Sequence, residues 1–198
     1  MKKVLVLSLA CVVAMVVASC GPDLKQFEPL KNPRIIEMAA QKVIFAETKG
    51  NPNVTAAALG ELYQIYFGLK IKDKKMVPPM ARWTLPANGN KDEMTGVWAV
   101  PVPAEVTALP EIKNAKYKTQ LGTWEYGTVA EVLYIGPYDK ETATIEALHK
   151  FIKDSGYVMA GPHEEVYIKG PGMFGKGDPN KYYTIIRNQV KKAGKAKK

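Results

Sequence analysis

The sequence predicts an α+β domain. Two β-α-β-β units form a pseudo-symmetric antiparallel sheet, with two helices packed on one face and a ligand cleft between the halves. Three observations carry this expectation. The order strand, turn, helix, strand, strand occurs twice, in residues 35–102 and again in 125–192. The turns correspond in position: Gly50-Asn-Pro-Asn53 in the first half, Gly136-Pro-Tyr-Asp139 in the second. Apolar residues recur at two-residue steps in the strands and at three- and four-residue steps between them, so each unit has one face to bury against its partner.

The N-terminus precedes that domain. Met1-Lys2-Lys3 is a short basic start, and Val4 to Ala18 is apolar apart from Ser8. The run is too short for a membrane-spanning helix and reads as a signal peptide over residues 1–19. Val17-Ala18-Ser19-Cys20 resembles a bacterial lipobox, which makes Cys20 the expected lipidation site. Cys11 leaves with the peptide, so the mature chain keeps no thiol for a disulfide or a cysteine metal site. Residues 20–34 are polar and proline-broken and read as a lipidated tether. The expected location is the cell envelope, lipid-anchored and facing away from the cytoplasm.

Charge narrows the partners. Of 28 basic residues, processing removes Lys2 and Lys3, leaving 26 against 19 acidic ones, a net +7. Five of those charges (Lys191, Lys192, Lys195, Lys197, Lys198) sit at the C-terminal end, whose last residues, 193–198, read as a basic tail. The body is then near +2, with no basic face carrying interleaved aromatics, so no nucleic-acid partner is expected. A monomer is expected, held at the membrane by its lipid.

In the first half, Gln41 to Glu47 is a strand, Val54 to Leu69 a helix, and Pro79 to Pro86 and Gly96 to Val102 two further strands. In the second, Val129 to Ile135 is a strand and Thr144 to Ser155 a helix with Gly156 placed to end it. His163 to Ile168 and Tyr182 to Val190 complete the set, and Pro103 to Trp124 crosses between the halves.

The stretch Gly161 to Gly170 carries the chemistry. Alternation along a strand points Glu164, Val166 and Ile168 one way and His163, Glu165 and Tyr167 the other. A carboxylate between an imidazole and a phenol is a poor choice for packing alone. Aligning the halves sets Pro79-Met-Ala-Arg-Trp-Thr against Pro162-His-Glu-Glu-Val-Tyr, which gives Arg82 the place that Glu165 holds. The candidate ligand-binding residues are Glu165, Tyr167, His163, Arg82, Trp83 and Tyr134, with Trp98 a further aromatic. Two histidines, His149 and His163, are too few for a metal site, and none is read; no cofactor is expected. His149 falls on the amphipathic helix and reads as a helix-surface residue.

Val129-Ala-Glu-Val-Leu-Tyr-Ile-Gly-Pro-Tyr-Asp139, Thr144-Ile-Glu-Ala-Leu-His149, Gly161-x-His-x-Glu-x-Tyr167 and Tyr183-Thr-Ile-Ile-Arg187 resemble the GyrI-like small-molecule-binding domains. These are related to the effector-binding domains of bacterial multidrug-responsive regulators. The resemblance implies the duplicated architecture and a cleft in which Glu165 meets a cationic, aromatic ligand. It also implies a small amphipathic or cationic molecule as the partner. One branch of the family is similar but catalytic and hydrolyses reactive cyclopropane compounds with a Glu-x-Tyr pair, which would make Glu165 and Tyr167 catalytic. Glu164 stands where that branch usually shows a second histidine. A haem or tetrapyrrole binder is the third reading, through an axial histidine.

Overall fold

The structure is a computed structural model that describes residues 23–86, 89–171 and 177–194. The expected signal peptide, the expected lipidation site Cys20, the glycine-rich run 172–176 and tail residues 195–198 lie outside the described residues. Eight antiparallel strands form one sheet: β1 (Arg34–Met38), β2 (Gln41–Lys49), β3 (Met80–Thr84), β4 (Thr95–Pro101), β5 (Thr119–Trp124), β6 (Gly127–Ile135), β7 (Tyr157–Lys169) and β8 (Tyr183–Lys192). Their spatial order is β1-β6-β8-β7-β3-β4-β2-β5. Among the described residues the α-helices are α1 (Pro52–Thr55), α2 (Ala58–Gly68) and α3 (Thr142–Asp154). Among the described residues no helix is long and apolar enough to cross a membrane.

The two expected β-α-β-β units are present, β2-α1/α2-β3-β4 and β6-α3-β7-β8, and they meet where β3 pairs with β7. Each half also lends a strand to the other. β1 precedes the first half but pairs with β6; β5 precedes the second half but pairs with β2. The tether reading of residues 20–34 therefore needs correcting. Leu24–Lys31 is a 3-10 helix whose Phe27 and Leu30 join the core, and Arg34 opens β1. The end of the crossing segment is likewise strand β5.

Local chemistry explains the element boundaries. Gly50 (φ +126°) and Gly136 (φ +150°) occupy the same place in each half, turning the chain from strand to helix in a region that side chains disfavour. Asn51 caps α1 by accepting from the Asn53 amide, and Pro52 holds its first turn. The single helix expected from Val54 to Leu69 is broken at Ala56–Ala57. There the amides of Ala57, Leu59 and Gly60 reach back only three residues. The ladder of β7 with β8 is interrupted between Met159 and His163, around Pro162, which has no amide to donate.

Helices α2 and α3 lie on one face of the sheet. Leu62 and Ile65 of α2 pack on Ile44, Ala81, Trp98 and Val100, while Leu148 and Ile152 of α3 pack on Ala130, Val132 and Ile186. Fully burying one such side chain contributes roughly 1.5–3 kcal/mol. The opposite face holds Val43, Met80, Val129, Val166 and Ile185 under Leu30, Trp124 and Tyr126.

That opposite face also carries a row of alternating charges across five strands: Arg34, Glu131, Arg187, Glu164 and Arg82, each in register with the next. Glu131 lies 2.6 Å from Arg34 and 2.7 Å from Arg187, and Glu164 lies 2.8 Å from Arg82 and 3.6 Å from Arg187. Tyr126 donates to Glu164 at 2.9 Å, and the Arg82 guanidinium rests 4.0 Å over the Trp124 ring. This pairing offsets the cost of burying Glu131 and Glu164.

Candidate functional site

Each helix covers its own half, so the seam between them stays open on the helix face. There the cross-strand neighbours of Glu165 are Ala81 and Ile186, one of them too small to fill the space. The result is a cleft of about 550 Å³. Its floor is Trp83, Trp98, Glu165 and Tyr167; one wall is the Asn51–Ala56 turn, the other the start of α3 with Tyr138 and Glu141.

The aromatic floor is held in place by specific contacts. Trp83 lies flat over Gly96, where a Cβ would come within 2.3 Å of its ring. Its indole N–H donates to the Tyr167 hydroxyl at 3.2 Å. Trp98 stands at 89° to Trp83, 4.9 Å between centroids, and donates to the Thr55 hydroxyl of α1 at 3.3 Å. Tyr138 meets Tyr167 edge-on at 5.5 Å. These are ordinary edge-to-face distances, so the four rings form a pre-arranged surface rather than a collapsed core.

Glu165 is 6% exposed and, among the described residues, has no arginine or lysine ion-pair partner; its Oε1 lies 3.0 Å from His163 Nε2. Glu141, the N-cap residue of α3, brings a second carboxylate. The donor atoms of Glu141, His163 and Glu165 all lie within 4.8 Å of one another. Burial, then the charge of Glu165, pushes the Glu141 carboxyl up to about 8, with Lys91 opposing. Burial, reinforced by the Glu165 charge, raises the Tyr167 phenol well above its ordinary value, so it keeps its proton at neutral pH. Burial and the nearby His163 lower His149.

The sequence pattern of the GyrI-like small molecule binding domain matches residues 31–189. This chain belongs to the GyrI-like family. Its fold is shared with a conserved protein of Listeria innocua at TM-score 0.69 and 20% identity, covering 85% of this chain and 97% of that one. A hydrolase from Listeria innocua matches at TM-score 0.67 and 20% identity, over 84% and 95%. The EcmrR C-terminal domain matches at TM-score 0.59 and 15% identity, over 82% and 98%. At these identities the likeness shows the fold. None of the curated proteins matches the chain.

Of the residues expected at the site, the GyrI-like cleft brings together Glu165, Tyr167, His163 and Trp83, with Trp98 beside them. Arg82 is not among them. Register pairs it with Glu164 on the opposite face, where it is an ion-pair partner. Matching the nine-residue strands β2 and β6 and following the ladders outward makes Ala81, not Arg82, the counterpart of Glu165, and Trp83 that of Tyr167. The alignment by sequence was one residue out, and one residue reverses the face. Tyr134 is also absent from the lining, because its hydroxyl turns to the Pro137 carbonyl at 2.9 Å. His149, expected on the helix surface, lines the cleft with a buried Nε2. Tyr138 and Glu141 escaped the sequence reading. Tyr138 stands inside the repeated turn motif, which was the available signal, whereas Glu141 reads as a plain helix-start acid.

Proposed function

We propose that this GyrI-like domain binds a small lipophilic cation in the seam cleft, with Glu165 supplying the charge and the rings of Trp83, Trp98, Tyr138 and Tyr167 the walls. The carrying observation is a buried carboxylate with no arginine or lysine partner among the described residues, set among aromatic rings. Water solvates such a carboxylate poorly, so a cation that sheds its own hydration easily is the partner that restores balance. Each ring face adds about 0.5–2 kcal/mol of cation–π attraction. Tetraphenylphosphonium is a suitable probe, and quenching of tryptophan fluorescence reports its entry. Saturable quenching in the parent, weakened in Glu165→Gln by roughly 30-fold or more, is expected from losing about 2 kcal/mol of buried charge pairing. Equal affinity in the two proteins would remove the carboxylate from the role.

The lipobox-like segment ending at Cys20 supports the same domain acting at the envelope, on a lipid anchor. Incorporation of a radiolabelled fatty acid that is lost in Cys20→Ala is the expected result. An unlabelled, soluble, full-length product would contradict it.

A hydrolase is the second reading, favoured by one observation: the protonated Tyr167 phenol sits against the Glu165 carboxylate. Glu165 would take a proton from water attacking a strained electrophilic ring, and Tyr167 would protonate the leaving atom. The structural resemblance to a Listeria innocua hydrolase is consistent with this. Tyr167→Phe would cost an enzyme on the order of 10²–10⁴ in rate. A binder would show nearly unchanged affinity.

A further inference from the structure

We propose that Glu141 and Glu165 form a proton-exchanging pair, holding one proton between them without ligand and releasing it to solvent when a lipophilic cation enters the cleft. The exchange step rests on the binding reading above; the shared proton stands on the geometry of the pair alone.

Two carboxylates from different elements, the start of α3 and the middle of β7, converge within 4.8 Å in a cleft walled by aromatic rings. Glu141 Oε2 is buried and accepts no hydrogen bond. Two anions so placed cannot both ionise without a compensating positive charge. Among the described residues the surroundings supply little of it. From β7, His163 contacts Glu165, while Tyr167 is neutral. From the β3–β4 connection comes Lys91, from the turn before α3 Tyr138 and Asp139, from β6 Tyr134, and from further along α3 His149, whose protonation is disfavoured. The Glu141 carboxyl, lifted by burial and then by the charge of Glu165, agrees with this arrangement.

A cation seated against both carboxylates performs the task the proton performs. One positive charge arrives, one proton leaves to the buffer, and the charge of the cleft is conserved. Cation and proton therefore compete. Affinity should rise with pH, by up to tenfold per pH unit, and level off above the upper titration of the pair.

The test is calorimetric titration of tetraphenylphosphonium into the purified chain at pH 6.5, with EDTA present, in two buffers of different ionisation enthalpy. Release approaching roughly one proton per cation is expected, and Glu141→Gln should abolish it. Binding with no proton release would overturn the exchange and leave the binding reading intact. Absence of any binding would sink both the binding reading and the exchange. The shared proton is read separately, by ¹³C titration of the glutamate carboxyls in the ligand-free protein. A carboxyl titrating near 8 that moves down in Glu165→Gln, while burial keeps it above the ordinary range, is expected. Every glutamate titrating in the ordinary range would overturn the pair.

Discussion

Glu164 and Glu165 are neighbours in sequence and opposites in circumstance. Both are buried, at 2% and 6% exposure, on the central strand β7. Glu164 faces Arg82, Arg187 and the Tyr126 hydroxyl, and its charge is fully answered within the fold. Glu165, one residue along and on the other face, meets His163, a second carboxylate and aromatic rings. The protein therefore has the means to neutralise a buried glutamate at this very seam and does not apply them to Glu165. The first residue holds the halves together; the second is left for something that arrives from outside.

The sharpest way to break this contrast is on the structural side. Arg187→Met leaves both Glu131 and Glu164 short of a partner and should destabilise the protein by on the order of 3 kcal/mol in urea. A change within a few tenths would mean that the ion row is ornamental. On the cleft side, Trp98→Leu removes one ring face and the bond to Thr55. It should weaken tetraphenylphosphonium binding by about 1 kcal/mol, roughly fivefold. A further break is a pH slope. The folded protein keeps a proton on Glu141 up to about 8, while the unfolded chain releases it near 4.5. Across that window the native state binds more protons, so this residue's contribution makes stability fall as pH rises. Chemical denaturation at pH 5 and pH 8 should show a shallower decline in Glu141→Gln than in the parent.

The fold was legible because its signals are local and repeated. Glycines at positions 50 and 136 mark equivalent turns, and the alternation in Val129 to Ile135 marks a buried strand. The lent strands β1 and β5 were not legible, since short edge strands such as Arg-Ile-Ile-Glu-Met bury only part of one face. The same division runs through the site. Glu165, Tyr167 and His163 follow from alternation along a single strand. Arg82 was misplaced because it depends on register between strands, which a single sequence leaves free by one residue. Glu141 and Tyr138 come from a turn whose position over the sheet depends on how α3 docks, and nothing in their own spacing records that.

Thermal melting of Glu164→Gln and Glu165→Gln, each with and without tetraphenylphosphonium, tests the division of labour most directly. Glu164→Gln should melt several degrees lower than the parent yet keep the ligand-induced rise. Glu165→Gln should melt at or above the parent temperature and lose that rise. A Glu165→Gln protein that the cation still stabilises as fully as the parent would contradict the account.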